Sequence, residues 1–503
     1  MRKRGCFLFT AATGLVAISG SLLAQQPSQP DLKVDWSKTV LTSGTTPSLQ
    51  VVVNPQLLRG AKMHDGSFAA LKMLGADYVR YVPWLPYPRQ AVAELEPPTK
   101  DKTSWDFRYI DPTLDDFMKA TEGHSVILNF STIPAWMYKT DKPVTYPDDP
   151  NQVFWGYTQG TELRDPSMKE ISEYFARLLS WYTQGGFVDE NGKRQESGHH
   201  YKVAYWEVLN EIDGEHKWTP EAYTKFYDAV TQAMRKIDPN IKFMAVASAH
   251  PRNHGEMYEY FLNPANHAPG VPLDFLTYHF YATPPDGEPF SAMQYTFFDQ
   301  ADGFLATSRY VEQIKKRYSP GTKTDLDELG VILPEDSKGN RIPGYKQPTE
   351  PEGYWNLAGA MYAYIFIEAA KMEIDVVGES QLVGYPTQYP SVSMMNYDTA
   401  APNPRFWVLK LLKDNFGPGD RLIETTERNR DLAVQAFATE RGKKLLVINK
   451  RDKVQEVILP ANIGATSIAF VAPSTRDGQP GSGKVQYNKL HLEPFEVAVV
   501  GVR

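Results

Sequence analysis

The segment Tyr205-Trp206-Glu207-Val208-Leu209-Asn210-Glu211-Ile212-Asp213 is the stretch of sequence that decides the fold. Its run of aromatic and aliphatic residues is bounded by polar residues and by Gly214, which is typical of a short buried strand. The Asn-Glu pair then lies at the carboxyl end of that strand, where α/β barrels place their chemistry. Two simpler interpretations of Glu211 remain, as a cap of the next helix or as an ion-pair partner of Lys217.

Strand and helix patterns alternate on both sides of this segment. Besides the quoted strand, strands are predicted at 49–55, 76–84, 125–131, 241–247, 273–281, 323–330 and 374–379. Helices are predicted at 68–74, 110–121, 168–184, 219–237, 254–262, 304–318, 354–372 and 406–414. Eight strand–helix units in succession predict an α/β fold, a (β/α)8 TIM barrel over residues 49–416. A doubly wound open sheet is the alternative, but no glycine-rich phosphate turn follows the first strand.

The pattern changes at Gly417-Pro418-Gly419. Short alternating segments separated by turns follow, and they predict a C-terminal antiparallel β-sandwich over residues 417–503. The N-terminal segment 25–48 contains an alternating run at 32–36, which we expect to add a strand to this sandwich. We assign no separate ligand-binding role to the sandwich.

Residues 1–24 have the composition of a secretory signal peptide. Arg2, Lys3 and Arg4 precede an apolar stretch that ends near Ala24, and Cys6, the one cysteine of the chain, lies inside it. This pattern predicts cleavage and a secreted or periplasmic location, with no membrane association afterwards; an uncleaved membrane anchor is the alternative. A mature chain without cysteine has no disulfide and no thiolate chemistry.

The composition of the 503 residues limits the classes of molecule that the protein is expected to bind. The net charge is −7 and basic residues form no cluster, which argues against nucleic acid. The 28 Tyr and 10 Trp residues suit a carbohydrate, because aromatic rings stack on the apolar faces of sugars, although they suit any large core as well. The oligomeric state cannot be inferred from the sequence.

Two carboxylates fall at the ends of predicted strands. Glu211 ends the fourth strand and Glu328 the seventh, so a closed barrel would bring them together at one mouth. Two carboxyl groups about 5 Å apart are what a retaining glycosidase requires, one as proton donor and one as nucleophile. Such catalysis needs no metal or cofactor. The simpler interpretation of Glu328 is an ion pair with Lys323.

Other residues at the strand ends are predicted to contact the substrate or to hold the two carboxylates. Asn210 can bond a sugar hydroxyl, His279 and Tyr281 can orient Glu328, and Arg80 can keep it ionised. Candidate stacking rings are Trp84, Trp136, Tyr138, Trp206, Tyr385 and Tyr389. We interpret Glu207 as structural, and Glu379 is a candidate for ligand contact.

These segments together resemble clan A glycoside hydrolases, and most closely family 39, which includes β-xylosidases and α-L-iduronidases. The resemblance lies in Glu207–Glu211 for the acid/base, 325–330 for the nucleophile, 274–281 for the sixth strand and 403–407 for the exit from the barrel. It implies a secreted β-xylosidase-like enzyme that cleaves O-glycosidic bonds of oligo- or polysaccharides with retention, with Glu211 as acid/base and Glu328 as nucleophile. Leu329-Gly330 after the nucleophile departs from the usual pattern of family 39.

Several alternatives stay open. β-Galactosidase, β-glucuronidase or α-L-iduronidase activity would fit the same residues, as would exo or endo action. A non-catalytic sugar-binding barrel is a rival because a fold does not determine a function. A metal-dependent barrel enzyme is a second rival, and it would need a cluster of His, Asp and Glu at several strand ends.

Overall fold

The structure, a computed structural model, describes residues 31–154, 162–341, 349–384, 389–460 and 463–503. The predicted signal peptide lies outside these ranges. Eight parallel strands close into a barrel, as the sequence predicted. In chain order these strands, β1 to β8, are Thr46–Val52, Val79–Val82, Val126–Leu128, Tyr205–Val208, Lys242–Ser248, Phe275–Ala282, Lys323–Val331 and Val376–Glu379.

Eight main helices, α1 to α8, follow the strands. They are His64–Leu74, Asp111–Ala120, Lys169–Thr183, Pro220–Met234, Gly255–Phe261, Phe290–Tyr318, Tyr354–Lys371 and Pro404–Asn415. The short helices Pro88–Ala91 and Pro334–Arg341 and the hairpin Gly186–Val188 with Arg194–Glu196 lie in the connections. Among the described helices, none is both long and apolar enough to cross a membrane.

The helix after the decisive segment begins with standard capping chemistry. Thr219 accepts a hydrogen bond from the backbone N–H of Ala222, Pro220 occupies the first turn, and Glu221 complements the helix dipole. The cap is therefore Thr219, so Glu211 does not need to serve as one. The strand before it, β4, is buried along its whole length.

One helix is twice as long as predicted. The sequence pattern predicted 304–318, whereas α6 spans Phe290–Tyr318. Gly303 lies inside this helix, and residues before it pack into the core, including Met293, Phe297 and Ala301. Tertiary packing outweighs the cost of glycine inside a helix, which is about 1 kcal/mol.

The C-terminal region is a seven-stranded antiparallel sheet with a two-stranded sheet packed on one face. The larger sheet has the spatial order Leu32–Thr42, Arg421–Glu427, Leu432–Thr439, Gly442–Asn449, Val497–Val502, Ala465–Val471, Gly481–Lys484. The smaller consists of Gln455–Ile458 and Lys489–Leu492. Its Val457, Leu490 and Leu492 share an apolar core with the inner face of the larger sheet. The N-terminal strand thus forms an edge of a sheet otherwise made from residues after 420.

The other face of the larger sheet covers the barrel helices. Phe437 packs on Phe416, just beyond α8, with ring centroids 4.4 Å apart, and the indole N–H of Trp407 donates to the carbonyl of Asp477 at 3.0 Å. Leu446 and Val497 belong to the same apolar cluster as the barrel. The sheet therefore buries part of the barrel's outer surface, on the side of α7 and α8.

Candidate active site

Glu211 and Glu328 meet at the mouth of the barrel. Glu211 follows β4, and Glu328 lies in β7 in register with His279 of β6. One ligand atom of each of these three side chains lies within 4.8 Å of the other two. The predicted facing of the two carboxylates is therefore observed, at a separation suited to a covalent double displacement and shorter than the roughly 6.5–9.5 Å of inverting pairs.

The backbone around Glu211 is held in an unusual conformation. Glu211 has φ 43°, and its N–H donates to the carbonyl of Ala247 at 2.9 Å. Ala247 and the β-branched Val246 of β5 also have positive φ, 41° and 84°. Their N–H groups donate to the hydroxyls of Thr277 and Tyr223, each at 2.9 Å. Strain of this kind persists when its surroundings over-determine it, and it clusters at functional sites.

Glu328 is fixed from both sides. Arg80 Nη1 donates to Oε1 at 2.6 Å, and the Tyr281 hydroxyl donates to Oε2 at 2.7 Å. Tyr281 Oη also lies 2.6 Å from Ser380 Oγ. A side chain at Gly330 would place Cβ 3.0 Å from the Tyr281 ring, so the glycine makes room for this ring. The Leu329-Gly330 departure noted in the sequence thus has a local packing reason.

Arg80 lies at the centre of a buried acidic network beneath the cavity. Its guanidinium bonds Glu207 and Asn210 as well as Glu328, and Asp327 Oδ2 lies 3.2 Å away. Burial acts to lower the pKa of Arg80, but the surrounding carboxylates overcome it and raise the pKa. Burial raises the pKa of Glu207 to about 7 in spite of Arg80, whereas Arg80 and His279 overcome burial and lower that of Asp327 to about 2.

His279 contacts three carboxylates. Its Nδ1 lies 3.2 Å from Glu211 Oε1 and 3.5 Å from Glu328 Oε2, and its Nε2 lies 3.5 Å from Asp327 Oδ2. Burial acts to lower the pKa of His279, but the charges of Glu328 and Asp327 dominate and raise it well above its ordinary value. The ring therefore lies between both mouth carboxylates and the network below them.

Arg80 and His279, which were predicted to hold Glu328 or to contact the substrate, are each 1% exposed. The structure places them behind the two carboxylates, where they orient and charge-balance these groups. The ion pair predicted as an alternative for Glu328 does not form, because Lys323 lies beside Asp375 at 3.6 Å.

A cavity of about 330 Å³ opens in front of Glu211 and Glu328. Trp84 and Tyr389 line it with ring centroids 6.1 Å apart. The other lining residues are Gln50, Val52, Val82, Asn210, Ala249, His250, Tyr281, Thr283, Ile332, Gln381 and Val392. The predicted contacts Asn210, Tyr281 and Trp84 are thus brought to the cavity.

Three predicted aromatic contacts lie elsewhere. Trp136 donates its indole N–H to the carbonyl of Glu94 at 2.9 Å and lies under Arg164, so it is not among the residues that line the cavity. Trp206 is fully buried in the core, and Tyr138 is buried against His216. A sequence pattern cannot tell which face of a loop or strand a ring occupies. Tyr385 lies outside the described residues.

The two further acids have structural partners. Glu207 accepts hydrogen bonds from Asn129 and Thr277, both at 2.6 Å, in addition to Arg80, as expected for a structural residue. Glu379 is fully buried and pairs with Arg405 at 2.8 Å. The prediction that Glu379 contacts ligand was wrong, because Arg405 occupies the position facing its carboxylate.

Sequence reasoning missed two residues of the site. Gln50 in β1 accepts a hydrogen bond from Arg80 at 2.6 Å and lines the cavity. Glu215 accepts from the indole N–H of Trp84 at 2.5 Å and from the Asn210 amide at 3.2 Å. The position of Glu215 four residues after Glu211 was the available signal, but a loop has no fixed periodicity from which to infer a shared direction.

The spacing of Glu211, His279 and Glu328 also resembles a metal-ligand set. Arg80 already bonds one oxygen of Glu328, so a fixed positive charge lies beside one of the three donors. The absence of a metal requirement stays a prediction.

Comparison with known proteins gives one partial family match. A family model described as the alpha-L-arabinofuranosidase 1 domain matches residues 151–303, a stretch that contains Glu211 and His279. No curated protein matches the chain.

Solved structures of similar fold cover nearly the whole chain. An alpha-L-arabinofuranosidase from Thermotoga maritima, solved with arabinose, is 16% identical with a TM-score of 0.61, over 94% of this chain and 99% of that one. AbfB, a family 51 alpha-L-arabinofuranosidase from Bifidobacterium longum, is 12% identical with a TM-score of 0.62, over 95% and 100%. A family 30 endoxylanase from Clostridium papyrosolvens C71 is 14% identical with a TM-score of 0.55, over 94% and 100%. These similarities show a shared barrel-and-sheet fold.

Proposed function

We propose that the protein is a retaining glycoside hydrolase. The observation that carries the proposal is the Glu211–Glu328 pair, with carboxylate oxygens within 4.8 Å of each other at the mouth of a cavity. Trp84 and Tyr389 supply aromatic faces beside the pair, and rings of this kind suit the apolar faces of sugars. The enzymatic neighbours and the arabinofuranosidase domain match support the same chemistry.

The contacts of the two carboxylates support an assignment of their roles. Glu328 receives an Arg80 N–H on one oxygen and the Tyr281 O–H on the other, so the carboxylate is fixed and aimed, as a nucleophile must be. Glu211 receives one contact, from His279, and its side chain is 25% exposed against 9% for Glu328. Glu211 is thus the carboxyl that a departing group and a water molecule can reach.

The reaction then proceeds in two displacements. Glu328 attacks the anomeric carbon while Glu211 protonates the leaving oxygen, which breaks the glycosidic bond and forms a glycosyl ester on Glu328. Glu211, now ionised, takes a proton from water, and the hydroxide formed in this step attacks the same carbon and releases Glu328. Two inversions give net retention. The fixed charge of Arg80 spares the site from reorganising as charge moves between the carboxyl groups.

A panel of aryl glycosides tests the function. Turnover of at least one member, with a first product of retained configuration seen by proton NMR, is expected. Absence of turnover over the whole panel with folded protein would contradict the proposal and favour a sugar-binding barrel. An inverted first product would contradict the double displacement alone.

The cavity favours a neutral sugar. Among its described lining residues there is neither Lys nor Arg, and Arg80 is buried and bonded to carboxylates. A uronic acid carries a carboxylate that such a site would leave unpaired, at a cost. Together with the arabinofuranosidase and endoxylanase names of the neighbours, this makes arabinofuranosides and β-xylosides the first members to test, ahead of galactosides, glucuronides and iduronides. Membership of family 39 stays a proposal.

We further propose that the protein is exported. The support is the basic n-region at residues 2–4 and the apolar stretch after it. N-terminal sequencing of the mature protein should begin near Gln25. An intact Met1 in the membrane fraction would show an uncleaved anchor instead.

A further inference from the structure

Glu215 is a buried carboxyl group beside the proposed acid/base that the reaction itself does not use. The turn after Glu211 carries it there, because the backbone N–H of Glu215 donates to the carbonyl of Glu211 at 2.7 Å. Its side chain is 9% exposed. A carboxyl group taken out of water needs hydrogen-bond partners, and this one has found them on two residues that line the cavity.

The two partners come from different strands. Trp84, which follows β2, donates its indole N–H to Glu215 Oε1 at 2.5 Å, and Asn210, at the end of β4, donates Nδ2 to the same oxygen at 3.2 Å. An indole has one N–H, so the bond to Glu215 sets the direction of the Trp84 ring. That ring lies next to Tyr389 in the lining of the cavity, with ring centroids 6.1 Å apart.

The Glu215 carboxyl group also fixes the orientation of the Asn210 side-chain amide. Its Oδ1 accepts from Arg80 Nη2 at 2.7 Å, which leaves Nδ2 toward Glu215. A primary amide has two N–H donors, so one can bond Glu215 while the other reaches a sugar hydroxyl. His216 Nε2 lies 3.9 Å from Glu215 Oε2, but burial lowers the pKa of His216 to about 4 and favours its neutral form near pH 7. The hydrogen bonds, rather than an ion pair, are therefore what Glu215 offers the site.

We propose that Glu215 is a positioning residue that clamps the Trp84 ring and the Asn210 amide against the sugar cavity. The proposal rests on the proposed glycosidase function. It places the action of Glu215 on substrate binding, because its partners line the cavity, whereas Glu328 and Tyr281 are held by other groups. It also distinguishes Glu215 from Glu211, whose loss affects proton donation.

Two matched variants test the clamp by kinetics on the aryl glycoside that the unmodified enzyme cleaves. Glu215→Leu removes both acceptor oxygens at similar volume and should raise KM by about tenfold or more, the scale of leaving one buried donor without its acceptor, with kcat within about threefold. Glu215→Gln keeps a carbonyl oxygen of the same reach and should restore KM to within about threefold of the unmodified value. Equal damage by both variants, or a loss confined to kcat, would overturn the clamp.

A double-mutant cycle and an indole signal complete the test. Trp84→Phe keeps a ring but has no N–H, so adding Glu215→Leu to it should raise KM by much less than in the unmodified background. In nitrogen-15 spectra the Trp84 indole resonance, identified by its absence in Trp84→Phe, should move in Glu215→Leu and stay near its place in Glu215→Gln. An unmoved resonance in Glu215→Leu would refute the contact even if no glycoside were cleaved, so failure of the clamp and failure of the glycosidase function remain distinguishable.

Discussion

Tyr281→Phe isolates the aiming of the proposed nucleophile. The change removes one oxygen atom that lies 2.7 Å from Glu328 Oε2 and 2.6 Å from Ser380 Oγ, and leaves the ring packed on Gly330. A hydrogen bond to a charged group contributes about 1.5–3 kcal/mol, which corresponds to about 10- to 150-fold in rate. Losing a donor also makes a carboxylate more basic, which favours attack. A misplacement of the reacting atoms by 1 Å lowers the rate about 100-fold, so we expect the loss of positioning to outweigh the gain in basicity.

The assay is kcat/KM on the glycoside with the best leaving group, together with a thermal unfolding curve. Tyr278→Phe is the matched control, because Tyr278 lies in the same strand but packs outward on Tyr258 and Phe304. We expect Tyr281→Phe to lower kcat/KM by about 10- to 150-fold with little change in Tm, and Tyr278→Phe to keep the kcat/KM of the unmodified enzyme. Equal activity of Tyr281→Phe and the unmodified enzyme would refute the idea that Tyr281 holds Glu328.

Three further predictions concern the acid/base, a buried acid and the C-terminal sheet. Glu211→Ala should lower kcat/KM far less on substrates with activated aryl leaving groups than on others. Azide should restore turnover of this variant and give a glycosyl azide of retained configuration. An inverted azide product would show that Glu211 is the nucleophile and Glu328 the acid/base. Burial raises the pKa of Glu94 from 4.5 to about 8, so the native protein holds a proton that the unfolded chain gives up, and stability falls as pH rises through this window. Glu94→Gln should abolish that fall in Tm between pH 4.5 and 8, and an unchanged pH profile would refute the assignment. A chain ending at Asn415 should be insoluble or much less stable, since it exposes the apolar surface around Trp407 and loses the bond to Asp477; normal folding and activity would contradict this.

The barrel could be predicted from the sequence because its strands are short and mostly buried and alternate with helices along the chain. Strand boundaries shifted by a few residues, as with β1, which begins at Thr46 rather than 49. The strand at Leu32–Thr42 was expected from the alternation at 32–36, but its pairing with Arg421–Glu427 joins segments almost 390 residues apart. The local alternation of residues predicts that this segment is a strand, but its pairing partner is determined by the apolar surface that the strand covers.

The two carboxylates could be placed because strand ends of a closed barrel share one rim. Their supports were harder to predict, since burial decides whether a side chain faces the ligand or lies behind it. Arg80 and His279 lie behind the carboxylates although their residue types suit ligand contact. Trp136 lies in the three-residue 3-10 helix Ala135–Met137 and Glu215 in a turn, and neither is long enough for a periodicity that fixes direction, so one was placed in the cavity wrongly and the other was missed.

Trapping the covalent intermediate tests the central claim most directly. A 2-deoxy-2-fluoro glycoside with an activated leaving group, matched to the sugar that the panel identifies, slows the second displacement and lets the ester accumulate. Intact mass and peptide mapping should then show one sugar per chain, attached to Glu328, and no label in Glu328→Gln. A label on Glu211, or full turnover without any covalent adduct and with an inverted product, would contradict the assignment of Glu328 as nucleophile.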